Sequence, residues 1–337
     1  MFNNEVSSGR PHVTAVTVFY NRSKYVPDSV ESLIQQDYPN LEILLVDDGS
    51  TDGTLAALQR YAHDPRVRIL TQGNRGFTIA LKDAIEQSSG EFIAFHDAGD
   101  VSYPTRITRQ VEALMGHPKA VLCSSFVDNE DSYTGKVTIH KPRIDSTLIE
   151  TLLRDNPFYH GEMMYRRDAY EKVGGYRRFF RFSQDYDLWL RMSLLGEAVI
   201  VPEVLYHRPL IPGSISMDPK KILLQTLLAE FARQCLLARR SEGMDMLDRH
   251  GPAGVLLRQR SPRIANKLAG KGTMLMVKGQ QEFGATFLRA ARQECVTPRT
   301  WLLSHLIWLE RIPFLWEHSI APILHHTYLR RSRREGA

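Results

Sequence analysis

The chain has 337 residues, 43% hydrophobic and 24% charged, with a formal net charge of +5. This is the make-up of a soluble globular protein with room for one large domain or two, and it excludes disordered and collagen-like chains. Every long apolar run meets a charge or a proline before the ~20 residues that a membrane span needs, so no transmembrane helix is expected.

The first ten residues hold no apolar leader core, which predicts a cytoplasmic chain. Cys123, Cys235 and Cys295 are far apart and form no C-x-x-C, which argues against a disulfide framework and against a cysteine zinc site.

From His12 to about Arg208, short β-branched apolar runs alternate with helical patterns, the signature of βαβ units and a mainly parallel sheet. His12 to Phe19 reads as the first strand. Pro27, Val30, Leu33 and Ile34 mark a first helix, with proline in its opening turn. Leu41 to Val46 is a second strand, apolar at nearly every position because both faces would be covered. Ser50 to Tyr61 reads as a helix capped by Ser, Thr or Asp. Val67 to Leu70 is a third strand, Thr78 to Gln87 a third helix, and Glu91 to Phe95 a fourth strand; Pro104 to Met115 and Ala120 to Phe126 continue the alternation.

From Asp145 the order is less regular. A helix is expected near Leu148 to Leu153, a strand near Met163 to Arg166, a short helix ended by Gly174-Gly175, and a helix over Gln184 to Leu195. Beyond Ser216 strand signals disappear, and Ile222 to Leu237 and Gly279 to Arg292 carry helical patterns. The expected organisation is an α/β domain over 12–216 and a helical, basic region over 217–337. The charge follows the same division: 23 Lys and Arg against 28 Asp and Glu up to Met217, then 20 against 10.

In an open parallel sheet, ligands bind beyond the carboxyl ends of the strands. The second strand runs into Asp47-Asp48-Gly49-Ser50-Thr51-Asp52, and the fourth into His96-Asp97-Ala98-Gly99-Asp100. Carboxylates there can accept hydrogen bonds from a nucleobase N–H and from sugar hydroxyls while a second group holds a divalent cation. Short acidic side chains also serve as turn and cap residues, the reading preferred for Asp52 but not for Asp47 or Asp97. Tyr20-Asn21-Arg22-Ser23 stands where a dinucleotide fold needs G-x-G-x-x-G, and the chain contains no phosphate loop, H-E-x-x-H or G-x-S-x-G.

Taken together, the ordered segments Val16 to Arg22, Ser32 to Gln36, Glu42 to Thr54, Asn74-Arg75-Gly76, Gly90 to Ala94, Asp97 to Asp100 with Pro104, Gly174-Gly175-Tyr176 and Gln184 to Arg191 resemble the family 2 glycosyltransferases over roughly residues 12 to 216. The resemblance implies a GT-A fold, a Rossmann-like sheet flanked by helices, with a helical C-terminal extension. It implies an enzyme that transfers sugar with inversion from a nucleotide diphosphate sugar to a glycan or lipid-linked acceptor, in surface polysaccharide or glycolipid synthesis. It places Thr17, Phe19, Asn21, Asp47 and Asp97 at the nucleotide sugar, Asp97 and Asp100 at a divalent cation, Mn or Mg, and Asp185 as the general base. Asp187, two residues on, points elsewhere on the helix and is expected to make a structural contact.

This chain departs from the family pattern at three positions: Gly99 stands where a metal-ligating Asp is usual, Ile211 where a histidine commonly precedes a segment like Pro212-Gly213-Ser214-Ile215-Ser216, and Gln184 where an acidic residue usually precedes the base. The alternative is a degenerate relative that binds a nucleotide sugar or glycan without turning it over. Trp301, Trp308 and Trp316 with the arginines of 330–334 point to peripheral attachment to an anionic membrane face, the alternative being that these apolar residues pack the helical region. Basic charge without a recognition motif predicts no nucleic-acid partner.

Overall fold

A strand covered on both faces must be apolar along its whole length. β1 (Val13–Phe19) meets that condition, with all seven residues buried, and β2 (Leu41–Asp47) nearly so. The computed structural model describes residues 9–131, 134–210 and 218–305. The chain divides into two compact units, 1–214 and 215–337.

In the first unit the order continues with α1 (Val26–Ile34), α2 (Thr54–Gln59), β3 (Val67–Thr71), α3 (Phe77–Glu86), β4 (Phe92–Phe95), β5 (Val101–Ser102), α4 (Arg106–Gly116), β6 (Ala120–Asp131) and β7 (Val137–His140). It closes with α5 (Leu148–Arg154), β8 (Met164–Arg166), α6 (Arg167–Lys172), α7 (Gln184–Met192) and β9 (Glu197–Leu210). The strands form one sheet in the order β3-β2-β1-β4-β8-β6-β9-β5, with β7 paired to β6.

β3, β2, β1 and β4 run parallel, as the βαβ pattern predicts. Beyond β4 the sheet is mixed: β8 is antiparallel to β4 and β6, while β9 is parallel to β6. On one face Val13, Ala15 and Phe19 of β1 pack with Val26, Val30 and Leu33 of α1 and with Ile107, Val111 and Leu114 of α4. Each such side chain contributes about 1.5–3 kcal/mol by leaving water. α3 packs against β1 and β2 with Ala80, Leu81, Ala84 and Ile85 buried.

Two sequence expectations are corrected. The helix expected from Ser50 begins at Thr54, because Ser50 and Asp52 spend their side chains on the neighbouring loop. The fourteen-residue β9 was not foreseen, since Glu197, Pro202, Glu203, His207 and Arg208 break its apolar pattern.

The second unit is helical: α8 (Pro219–Glu242), α9 (Met246–His250), α10 (Pro262–Val277), α11 (Gln281–Glu294) and α12 (Pro298–Ser304). Three of these start with a capping side chain followed by proline: Asp218-Pro219, Ser261-Pro262 and Thr297-Pro298. Its core joins Ile264, Leu268 and Met276 of α10 to Phe287, Leu288 and Ala291 of α11. Buried Glu230 binds Arg233 at 2.7 Å and Arg263 at 2.9 Å. No helix among the described residues is long and apolar enough to cross a membrane.

Candidate active site

The loops that leave β1 and β2 are laced to one another. Asn21 has φ 51°, its N–H donates to Ser50 Oγ at 3.0 Å, and its Oδ1 accepts the Thr51 N–H at 2.8 Å. Asp52 Oδ2 accepts from the N–H and hydroxyl of Ser23 at 3.1 and 3.0 Å, while Oδ1 accepts the Thr54 N–H at 3.0 Å. Burial acts to raise the Asp52 pKa, but the bonds from Thr54 and Ser23 outweigh it and hold the carboxyl at about 2. Asp52 is therefore a brace between loops.

Asp48 braces a third loop, accepting from Gln72 Nε2 at 2.8 Å, Arg75 N–H at 3.0 Å and Gly76 N–H at 2.9 Å. Asp47, also buried, meets among the described residues only the Ser50 N–H, at 3.3 Å to each oxygen, which leaves acceptor capacity at the end of β2.

Thr17 and Phe19 are wholly buried, main chain included, so neither presents surface to a ligand, whereas Tyr20 and Asn21, just beyond β1, are exposed.

The turn after β4 is anchored by buried groups. His96 Nε2 lies 2.9 Å from Ser29 Oγ and 3.1 Å from the Asp100 carbonyl, and Nδ1 lies 3.0 Å from Ser102 Oγ. Burial, and then the Arg106 charge, keep this imidazole neutral, well below its usual pKa. Arg106, also wholly buried, donates to Ser102 Oγ at 2.8 Å and to the Phe95 carbonyl at 2.7 Å. Gly99 has φ 111°, a conformation that a side chain at this position would strain. The family departure at Gly99 is therefore built into the backbone of the turn.

Asp97 is half-buried and Asp100 is 6% exposed. Burial raises Asp97 to about 6 against the charges of Arg208, Arg22 and Arg106. Burial and the adjacent Asp97 push Asp100 well above the usual carboxylate range. Asp100 Oδ2 is buried without a partner. Among the described residues no cluster of three or more His, Cys, Asp or Glu is arranged to hold a metal ion. Two carboxylates with one orphaned oxygen nevertheless fit a hard cation whose remaining ligands come from phosphate oxygens and water.

Asp185 stands in the first turn of α7. Burial raises its carboxyl to about 6; its own N–H, that of Tyr186 and Asn156 oppose the shift, while the charge of Asp97 adds to it. Asn156 Nδ2 lies 3.5 Å from Oδ2. Asp187 has the opposite setting. It is buried between Arg191, at 2.8 Å, and Arg177, which together overcome burial and lower its pKa. Arg191 in turn donates to the carbonyls of Val173 and Gly175 at 2.7 and 2.8 Å, fixing the helix that carries Asp185.

Three residues escaped the sequence reading. Glu162 is wholly buried, with Oε1 accepting from Ser124 Oγ at 2.9 Å, and burial lifts it to about 8. Its sequence signal was a lone carboxylate before the apolar pair Met163-Met164. Asn156 and Tyr206 gave none. Tyr206 is wholly buried and its hydroxyl accepts the Asp97 N–H at 3.0 Å. His207 lies between Asp128, at 3.2 Å, and Glu130, at 3.3 Å, on the β6–β9 ladder. Ile211 and the 212–216 segment lie outside the described residues, as do Trp308, Trp316 and the arginines of 330–334.

Residues 14–174 match the family described as Glycosyl transferase family 2. TuaG of Bacillus subtilis (strain 168), named for teichuronic acid biosynthesis, is 34% identical over 225 residues, 66% of this chain and 88% of its own. EpsE of the same organism, named as a glycosyltransferase, is 32% identical over 186 residues, 54% of this chain and 66% of its own, so the match spans slightly under two thirds of that relative. S. aureus TarS (1–349) in complex with UDP-GlcNAc is similar in fold, with a TM-score of 0.58 at 16% identity over 90% of this chain and 92% of TarS.

Proposed function

Because this chain belongs to glycosyltransferase family 2, we propose that it transfers a sugar from a nucleotide diphosphate sugar to a hydroxyl of a glycan or lipid-linked acceptor, inverting the anomeric carbon, in the synthesis of a surface polysaccharide or glycolipid. The observation that carries this reading is the pairing of Asp185, raised to about 6, with Asp97 close enough for its charge to contribute to the shift.

The chemistry follows from those settings. A sugar hydroxyl is a weak nucleophile and must lose its proton as it attacks. Asp185 at about 6 is ionised at neutral pH yet more basic than an ordinary carboxylate, so it accepts that proton readily. As the hydroxyl oxygen bonds to the anomeric carbon, the bond to the diphosphate breaks on the opposite side and the nucleoside diphosphate leaves. Asp47 and the exposed Tyr20 and Asn21 stand at the ends of the parallel strands, where the nucleoside would lie. Asp97 and Asp100 would hold Mn or Mg, which when bound neutralises charge on the departing diphosphate. The fit of TarS bound to UDP-GlcNAc supports a nucleotide sugar as donor.

The test is a screen of UDP-, GDP- and dTDP-sugars for transfer or hydrolysis, read by mass spectrometry. Turnover of one of them is expected. Tight binding with no turnover of any would instead establish the degenerate, non-catalytic relative.

The basic end of the chain is read as a peripheral anchor on the inner membrane face, where lipid-linked acceptors are found. Tryptophan beside basic residues suits that interface, and Trp301 and Leu302 are exposed on α12. Each Lys or Arg near an anionic leaflet adds about 1 kcal/mol. Sedimentation with anionic liposomes should be salt-sensitive and exceed that with neutral ones; equal recovery in both supernatants at low salt would contradict it.

A further inference from the structure

The turn that carries Asp97 and Asp100 has lost one carboxylate to Gly99, so the two that remain depend on their placement. Their backbone is tied by the Asp100 N–H to the Asp97 carbonyl at 3.1 Å and by His96 to the Asp100 carbonyl at 3.1 Å. Neither bond fixes a carboxyl group.

Tyr206 reaches both residues. It comes from β9, far along the chain, and pairs with Ser102 across the β5–β9 ladder. Its ring is held by the Arg106 guanidinium at 4.8 Å and stands edge-on to His96 at 5.5 Å. Its hydroxyl oxygen accepts the Asp97 N–H at 3.0 Å. The hydroxyl stands beside the Asp100 carboxyl, close enough to act against the rise that burial imposes on it. Oδ2 of Asp100 remains buried without a partner.

The chain makes room for this hydroxyl. A Cβ on Gly161 would stand 2.3 Å from the Tyr206 oxygen and 2.7 Å from Cζ. Any larger residue at 161 would displace the hydroxyl that holds the Asp97 N–H.

We propose that Tyr206 is the positioning residue of the cation and diphosphate site: its hydroxyl, holding the Asp97 N–H in the turn that also carries Asp100, sets the geometry in which the two carboxylates receive a divalent cation bound to a nucleoside diphosphate. This rests on the reading of Asp97 and Asp100 given above. Tyr206 touches neither the donor nor the cation; it acts through the two aspartates.

The experiment measures UDP, GDP and dTDP affinity with and without Mn²⁺, by calorimetry on the full chain, for the wild type, Tyr206→Phe and Tyr38→Phe. Tyr206→Phe keeps the ring that packs on Arg106 and His96. Tyr38→Phe removes a hydroxyl that bonds the Pro11 carbonyl elsewhere, and serves as the control for a merely structural loss. Mn²⁺ should raise the affinity of the wild type for the nucleotide that binds. Tyr206→Phe should lose ~5-fold or more of that enhancement while its metal-free affinity stays put, within the range of ordinary site-to-site coupling; Tyr38→Phe should keep the enhancement.

Equal enhancement in Tyr206→Phe and the wild type would overturn the inference. No Mn²⁺ enhancement in the wild type would overturn the cation reading and this inference with it, whereas no binding of UDP, GDP or dTDP would overturn the donor reading itself. Should Tyr206→Phe not fold, Gly161→Ala, which drives the hydroxyl away without removing it, should show the same loss, and retention of the full enhancement there would count equally against the proposal.

Discussion

Asp48 and Asp52, behind the first two strands, and Asp97, Asp185 and Glu162, gathered around β4 and α7, are the same chemical groups put to opposite uses. Around β1 and β2, Asp48 and Asp52 accept several short hydrogen bonds each, and Asp52 is held at about 2. Around β4 and α7, Asp97 and Asp185 sit at about 6 and Glu162 at about 8, because burial outweighs the donors and cations near them. A carboxylate saturated with donors is committed to holding the fold. One that is buried short of partners keeps an energetic reason to bind a cation or a proton. The contrast narrows to two residues within α7, where Asp187 lies in an arginine clamp and Asp185 does not.

The largest effect that could break this comparison is on stability. Asp187→Asn leaves Arg191, itself 3% exposed, without its partner, and breaking such a buried pair costs about 3–5 kcal/mol. Asp185→Asn should leave the unfolding free energy unchanged or slightly higher, since its ionised form is already disfavoured by burial. Urea unfolding of both variants at pH 7 checks the pair. Similar losses in the two would mean that the carboxylates of α7 do not differ in role.

A smaller effect concerns Glu162. Its folded pKa, about 8, lies above its unfolded value near 4.5, so its proton stabilises the fold fully below pH 4.5, and that contribution is lost as pH rises through 8. Glu162→Gln removes the penalty. Its melting midpoint at pH 9 should exceed that of the wild type by roughly 3 °C or more, with little difference at pH 5. A variant that melts lower at pH 9 would show that the carboxylate, and not the acid, is the form the interior accepts.

The parallel half of the sheet was legible because its strands are short apolar runs punctuated by Pro, Gly and Asp, and the carboxylates at their ends announced a site. Asp97 stood out for that reason, whereas the roles given to Asp100 and Asp185 came from the family resemblance. β9 was hidden by its polar residues, and α10 by the glycines and lysines that dilute its pattern. Tyr206, Asn156 and Glu162 were not legible, because each gains its meaning from a neighbour distant in the chain: Tyr206 meets Asp97 across 109 positions. Only the family resemblance separated Asp47 from Asp48. The fold assigns three donors to the second and one to the first.

The central claim is that Asp185 removes the proton from the acceptor. The pH dependence of the transfer rate, measured at saturating substrates for the wild type and Asp185→Asn, tests it most directly. The base must be ionised, so the wild-type rate should fall as pH drops through about 6 and level off above. Asp185→Asn should be slower by about 10²-fold or more at pH 7.5, with that acid limb gone. A limb near 6 that persists in Asp185→Asn, or a rate close to the wild type, would contradict the account and move the base to another residue.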